Sequence, residues 1–174
     1  MQIYTVKVSD TGTVRWYNSD GELHREGGPA VERSDGSETW YRNNKVHRED
    51  GPSIIHANGS KWWYRDGELH REDGPAVEYA NGRKEWWVND KRHRIDGPAA
   101  EYASGYRAWW VDDKRHREDG PAIERANGDK EWWLNGERFS EADFRAEFKR
   151  RMAEKNRPCA GRTVVVDGVE YTLT

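Results

Sequence analysis

His70-Arg71-Glu72-Asp73-Gly74-Pro75-Ala76-Val77-Glu78-Tyr79-Ala80-Asn81-Gly82-Arg83-Lys84-Glu85-Trp86-Trp87-Val88-Asn89-Asp90-Lys91-Arg92 is one full period of a pattern that starts again at His93. Outward from it, His-Arg recurs at His24, His47, His70, His93 and His116, in steps of 23 residues. Gly-Pro keeps the same beat at Gly28, Gly51, Gly74, Gly97 and Gly120, and a second glycine follows at Gly36, Gly59, Gly82, Gly105 and Gly128. One aromatic column is Trp40, Trp63, Trp86, Trp109 and Trp132; its neighbour is Tyr41, Tyr64, Trp87, Trp110 and Trp133. The first copy is one residue longer between Trp16 and His24, and a sixth decays at Asn135-Gly136-Glu137-Arg138-Phe139. Such a repeat must be read before any single residue is.

Each unit has two turn signals. Asp66-Gly67 and Asn81-Gly82 are dipeptides that tolerate positive φ. Between the turns lie runs of about five residues, such as Lys84–Val88 and Ala99–Ala103, which suits strands and is too short for helices. Two locally connected strands per repeat predict a mostly β fold: an elongated, twisted antiparallel meander of hairpins, followed by one helix and a terminal hairpin. Adjacent strand residues point to opposite faces. The paired aromatics should therefore give each face a column. Tyr79 and Tyr102, with Val31, Ile54, Val77 and Ile123, thicken one face; Ala76, Glu78 and Ala80 make the other smaller and more polar.

Composition bounds the rest. Hydrophobic residues are 34% and charged residues 35%, so a thick aliphatic core is not available. Ten Trp, eight Tyr and three Phe supply the apolar area instead. A net charge of −3 favours neither nucleic acid nor membrane as a partner. The N-terminal MQIYTVKV has neither the basic start nor the apolar run of a signal peptide, and no stretch is long enough to span a membrane, so a cytoplasmic protein is expected. Cys159 is the only cysteine and reads as a plain thiol.

Residues 1–138 form the expected repeat sheet, with an N-terminal strand at Ile3–Val8 paired to Thr13–Tyr17. Residues 139–157 form a helix that caps the array. Ser140 is its N-cap, Phe139 and Phe144 form a staple, Phe144, Phe148 and Met152 an apolar stripe, and Asn156-Arg157-Pro158 its stop. Residues 158–174 form a hairpin around Asp167-Gly168. From 139 to 163 there are seven basic and four acidic residues, with Lys149, Arg150 and Arg151 on the helix as candidate anion contacts.

The stretch Trp87-Val88-Asn89-Asp90-Lys91-Arg92-His93, then Gly97 and Tyr102-Ala103-Ser104-Gly105, resembles the MORN repeat. The resemblance covers roughly residues 11–138. It departs where Arg follows the His in place of Gly and Glu-Asp-Gly-Pro-Ala comes next, and is in this respect similar to a variant class met in bacterial and phage proteins. It implies an interaction or scaffolding module, and a small phage or bacterial inhibitor or adaptor acting on a host complex in the bacterial cytosol.

The chemistry of the residues points the same way. No nucleophile elbow, Walker loop or Cys/His pair is present, and an active site normally breaks symmetry that this chain keeps. Equivalent His residues should stand ~10 Å apart, two strand spacings, too far to share a metal ion. No cofactor, metal or catalytic residue is expected. The His-Arg-Glu-Asp-Gly-Pro segment reads as a self-satisfied loop in which Asp73 accepts backbone N–H bonds, Glu72 pairs with an Arg and His70 packs on the next repeat. The candidate interface is Tyr41, Tyr64, Trp87, Trp110 and Trp133, with Arg48, Arg71, Arg94 and Arg117 in a row along one sheet margin. Another protein is the expected partner. Nucleic acid or a ligand stacked on the aromatics, and self-assembly through edge strands, are the rival readings.

Overall fold

The computed structural model describes residues 3–154 in full and the backbone of 155, 163–166 and 169–172. Cys159, the Asn156-Arg157-Pro158 stop and the Asp167-Gly168 turn fall outside the described residues. The chain forms two compact units, residues 1–138 and 139–174.

In the first unit a hairpin of Thr5–Val8 and Val14–Tyr17 starts an open antiparallel sheet of 13 short strands that ends at Glu137–Phe139. Each repeat adds two strands to this long sheet, as in Val77–Glu78 and Lys84–Glu85. The architecture is thus the antiparallel hairpin meander that the period demands.

One detail differs from the two-strand reading. The aromatic run breaks after its first half, and the chain leaves the long sheet to make a separate two-stranded hairpin. These side hairpins pair Tyr41–Arg42 with Lys45–Val46, Tyr64–Arg65 with Glu68–Leu69, Trp87–Val88 with Lys91–Arg92, and Trp110–Val111 with Lys114–Arg115. The corner is a tryptophan. Trp86 N–H donates to the Ala99 carbonyl of the long sheet, while its own carbonyl accepts the His93 N–H that closes the side hairpin. In the first and last copies one strand, Val14–Tyr17 and Lys130–Leu134, runs straight through the tryptophan.

The turns explain where the chain can bend. Asn43-Asn44, Asn89-Asp90 and Asp112-Asp113 have φ from +49° to +61°, and Asp66-Gly67 and Asn135-Gly136 are positive at both positions too. Two successive positive φ values make the mirror-image turn whose twist matches a tight hairpin, and Asn and Asp tolerate it best after Gly.

Register sorts the long sheet into two faces. Val31, Thr39, Ile54, Trp62, Val77, Glu85, Ala100, Ala108, Ile123 and Glu131 oppose one another across it in a single row. This row defines the inner face. On the reverse, Glu78 stands opposite Lys61 and Lys84, Glu101 opposite Lys84 and Arg107, and Glu124 opposite Arg107 and Lys130. Opposite charges placed directly across strands are mildly stabilising, and here they cancel.

The core is thin. Val31, Val77, Ala100, Ala108 and Ile123 are buried in the inner row, and Tyr102, Tyr106, Trp110 and Trp133 pack against it. Burial of a side chain such as Ile123 contributes about 1.5–3 kcal/mol. Ala76, read as part of the smaller face, is fully buried, as are Ala30, Ser53, Ala99 and Ala122 in the same phase. Their carbonyls accept the N–H groups of the corner tryptophans.

In the second unit the helix spans Glu141–Lys155. Ser140 Oγ accepts the Asp143 N–H at 3.1 Å, the N-cap bond read from the sequence. Of the expected apolar stripe, Phe144 is buried while Phe148 and Met152 are exposed. Thr163–Val166 pairs antiparallel with Val169–Thr172, Val166 facing Val169. Among the described residues no helix is long and apolar enough to cross a membrane.

Candidate functional site

The arginine row lies where the chain turns its corners. Arg25, Arg48, Arg71, Arg94 and Arg117 hold their guanidinium carbons 3.9–4.3 Å from the ring centroids of Trp16, Trp40, Trp63, Trp86 and Trp109. Each group also lies against a glycine. A Cβ on Gly28, Gly51, Gly74, Gly97 or Gly120 would stand 2.8–3.1 Å from that carbon. Nη1 donates to the carbonyl of the proline that follows the glycine, at 3.1–3.3 Å. Nε donates to Asp50, Asp73, Asp96 or Asp119 at 2.7–2.9 Å. Glu32, Glu78, Glu101 and Glu124 accept a further bond from four of the five. Arg48 lacks it because Ile55 occupies that phase. The loop aspartates thus accept from arginine rather than only from backbone. The hydrogen bond from Arg48, Arg71 or Arg94 holds the carboxyls of Asp50, Asp73 and Asp96 below their ordinary range.

The histidines tie one repeat to the next. Nδ1 of His24, His70 and His93 lies 2.6, 2.7 and 3.0 Å from the side-chain oxygens of Asn43, Asn89 and Asp112. Asp66 N–H donates to His47 Nδ1 and Asn135 N–H to His116 Nδ1, both at 3.1 Å. His47 and His70 are buried. Every partner is the first turn residue of the following repeat. The expectation that His70 packs on its neighbour is met, and so is the Glu72 pairing, with Arg65 at 3.6 Å.

Open clefts of roughly 460, 870 and 690 Å³ separate successive His-Arg loops. The largest has Arg48, Asp50, Trp63, Arg71 and Asp73 in its walls. Those charges are already paired within the loops. In the fourth repeat Ile95, 84% exposed, stands where the others carry Glu.

The predicted aromatic column lies on the other face. Trp87 and Trp133 donate their indole N–H groups to Glu85 and Glu131 of the inner row, at 3.1 and 3.0 Å. The arginine row, by contrast, reaches the glutamates of the reverse face. The two halves of the predicted interface are therefore set on opposite faces of the long sheet.

Within the aromatic column the sequence reading missed a set of cations. Arg92 lies 4.7 Å from the Trp87 centroid and 5.4 Å from that of Trp110. Arg115 lies 5.2 Å from Trp110 and 4.8 Å from Trp133. Neighbouring repeats stand ~9.6 Å apart, so each guanidinium sits between two rings. Such stacking is worth ~0.5–2 kcal/mol per pair, most where water is excluded. Arg83 pairs with Glu85, and Arg125 and Arg138 reach Glu131. Burial opposes the charge of Arg83, but the hydrogen bond and charge of Glu85 outweigh it and hold its pKa above the ordinary value. The Arg125 hydrogen bond likewise holds Glu131 below the carboxylate range. A signal was present in the sequence: Arg92, Arg115 and Arg138 keep one phase, each five residues after its tryptophan. In the first repeats Tyr41 and Tyr64 share that column with Val46 and Leu69 in place of arginine.

On the helix, Arg150 donates to Glu147 and Glu154, and Arg151 to Glu147. Bonds from Arg150 and Arg151 bring Glu147 down to about 2. Lys149 is exposed, with no ion pair among the described residues. Among the described residues no three His, Cys, Asp or Glu side chains come together as metal ligands. No family model matches the chain, and no curated protein matches its sequence.

Proposed function

We propose that this protein is a non-catalytic protein-binding module that meets its partner with the inner face of the repeat sheet. The observation that carries this is where the repeats differ. The residues that stay the same are consumed by the framework: His by the next turn, Arg by Trp, Pro and Asp, and Gly by Arg. Outside the framework Ile55 and Ile95 are single departures, whereas two inner-face phases change side-chain type along the array. Thr39, Trp62, Glu85, Ala108 and Glu131 share one phase, and Val46, Leu69, Arg92, Arg115 and Arg138 another. A repeat that fixes its framework and varies one face is built as a scaffold for recognition, and Trp, Tyr and Arg are the usual interface anchors. The likeness to MORN repeats supports the same reading, including a bacterial or phage-encoded inhibitor or adaptor of a host complex in the cytoplasm.

Affinity capture from a bacterial lysate tests it with two variants of checked fold. Trp110→Tyr alters the inner face, and Lys84→Glu alters the reverse. The captured protein should be lost with the first and kept with the second; the opposite pattern rejects the reading.

One observation favours self-assembly as a second reading. The edge strand Thr5–Val8 is exposed along its whole length, and Ile3, Val6 and Val8 are among the large hydrophobics most open to solvent. Such an edge invites pairing. Light scattering that finds only monomer at high concentration removes it.

A further inference from the structure

The chain carries a net charge of −3, yet one part of its surface has the opposite sign. In the ladder of the later repeats, Arg83 and Arg92 pair with Glu85, Arg125 and Arg138 pair with Glu131, and Arg115 has no ion pair among the described residues. We propose that this ladder docks an acidic peptide segment of a protein partner, with Arg115 taking one of its carboxylates; the inference rests on the protein-binding reading and names the partner's chemistry.

Arg115 is the centre of the argument. Arg92 and Arg138 each have a ladder glutamate 3.8 Å away. In the repeat between them Ala108 holds the phase of Glu85 and Glu131, and among the described residues no carboxylate pairs with Arg115. Its Nε is buried without a hydrogen-bond partner. The group is fixed between Trp110 and Trp133, so its fork is pre-oriented and little side-chain entropy remains to be lost on binding. A charge-assisted bond from a planar guanidinium to a carboxylate is about twice as strong as a neutral one.

Two observations separate an acidic peptide from nucleic acid. Arg92 and Arg115 both lie over the Trp110 ring, so guanidinium groups already hold the positions a stacking base would need there. From Lys61 to Lys130 the reverse of the sheet alternates Glu with Lys or Arg, which gives a phosphate backbone no run of unopposed cations.

The test is fluorescence anisotropy with a short labelled peptide of alternating glutamate and glycine, its lysine–glycine counterpart and a short oligothymidylate. The glutamate peptide should bind and weaken as salt rises, and the lysine peptide should not bind. Arg115→Gln should lower the affinity about tenfold, the worth of one charged hydrogen bond. Arg107→Gln removes the same charge from the reverse face and should change it by less than about twofold. Equal losses from the two variants, tighter binding of the oligothymidylate or no binding of the glutamate peptide each overturn the proposal. Should Arg115→Gln fail to fold, hydrogen exchange on the wild-type chain decides. The peptide must protect the amides of Trp110, Arg115 and Trp133, and an unchanged pattern rejects the proposal. Lysate capture that depends on Trp110 alongside a failed peptide assay would sink this inference alone.

Discussion

At the scale of the residue, guanidinium groups carry much of what a thick core supplies elsewhere. Arg71 stacks on Trp63, lies on Gly74 and bonds Asp73, Pro75 and Glu78. These contacts form one unit, so their energies should not add. Gly74→Ala places a methyl 2.9 Å from the guanidinium carbon and pushes the group off its ring. We expect a loss of about 1–2 kcal/mol in urea unfolding, the size of a cation–π pair with its hydrogen bond. In an Arg71→Ala background the same change should be nearly neutral; an undiminished cost there would show that the glycine serves something other than the arginine. Acid tests the same loops. The folded-state pKa values of Asp50, Asp73 and Asp96 lie below 3.8. Their contribution is complete above that value and declines as pH falls through the depressed native values. Glu147 follows the same sign over a clearer window. Its ordinary value of 4.5 falls to about 2, so carboxyl-carbon NMR should place its midpoint near the lower figure. A midpoint above pH 4 would mean that Arg150 and Arg151 do not hold it. None of these partners was legible as a contact. The period named Arg, Asp and Gly as repeated letters, but only coordinates show which atoms meet.

At the scale of the element, the side hairpin is the unit that joins repeats. Its first turn residue both bends the chain and meets the histidine of the preceding copy, as Asn89 does at φ +50° and 2.7 Å from His70. The two roles can be separated. Asn89→Gly keeps the positive φ and loses the side-chain link; Asn89→Ala loses both. In thermal unfolding the alanine variant should be the weaker by about 1–2 kcal/mol, the cost of left-handed backbone for a residue with a Cβ. Equal destabilisation would place the whole effect in the histidine contact. The turn dipeptides were readable because Asn, Asp and Gly tolerate this conformation. The break at Trp86 was not readable, because an uninterrupted aromatic run is compatible with one strand. Only the competition between the Ala99 carbonyl and the side-hairpin bonds cuts it.

At the scale of the whole molecule, recurring framework bonds between successive copies make the sheet a near one-dimensional array. Such arrays gain and lose copies without loss of fold. Deleting residues 71–93 joins His70 to Arg94 in phase. The shortened chain should fold cooperatively, with a urea m-value reduced in proportion to the surface removed. A far-UV spectrum of an unfolded chain would show that the repeats are not interchangeable.

The sequence by itself determined the period, the strand-length runs, the turns and hence the antiparallel meander, because these depend on local backbone preference and alternation that any copy displays. It also placed the Ser140 cap, for the same local reason. The tertiary structure alone decided which face each column serves: the arginine row was pulled toward the glutamates of the reverse face and the tryptophan column toward Glu85 and Glu131. Arg92 and Arg115 acquired their meaning only when residues 23 positions apart came within two strand spacings. Register across strands, not neighbourhood along the chain, sets those distances.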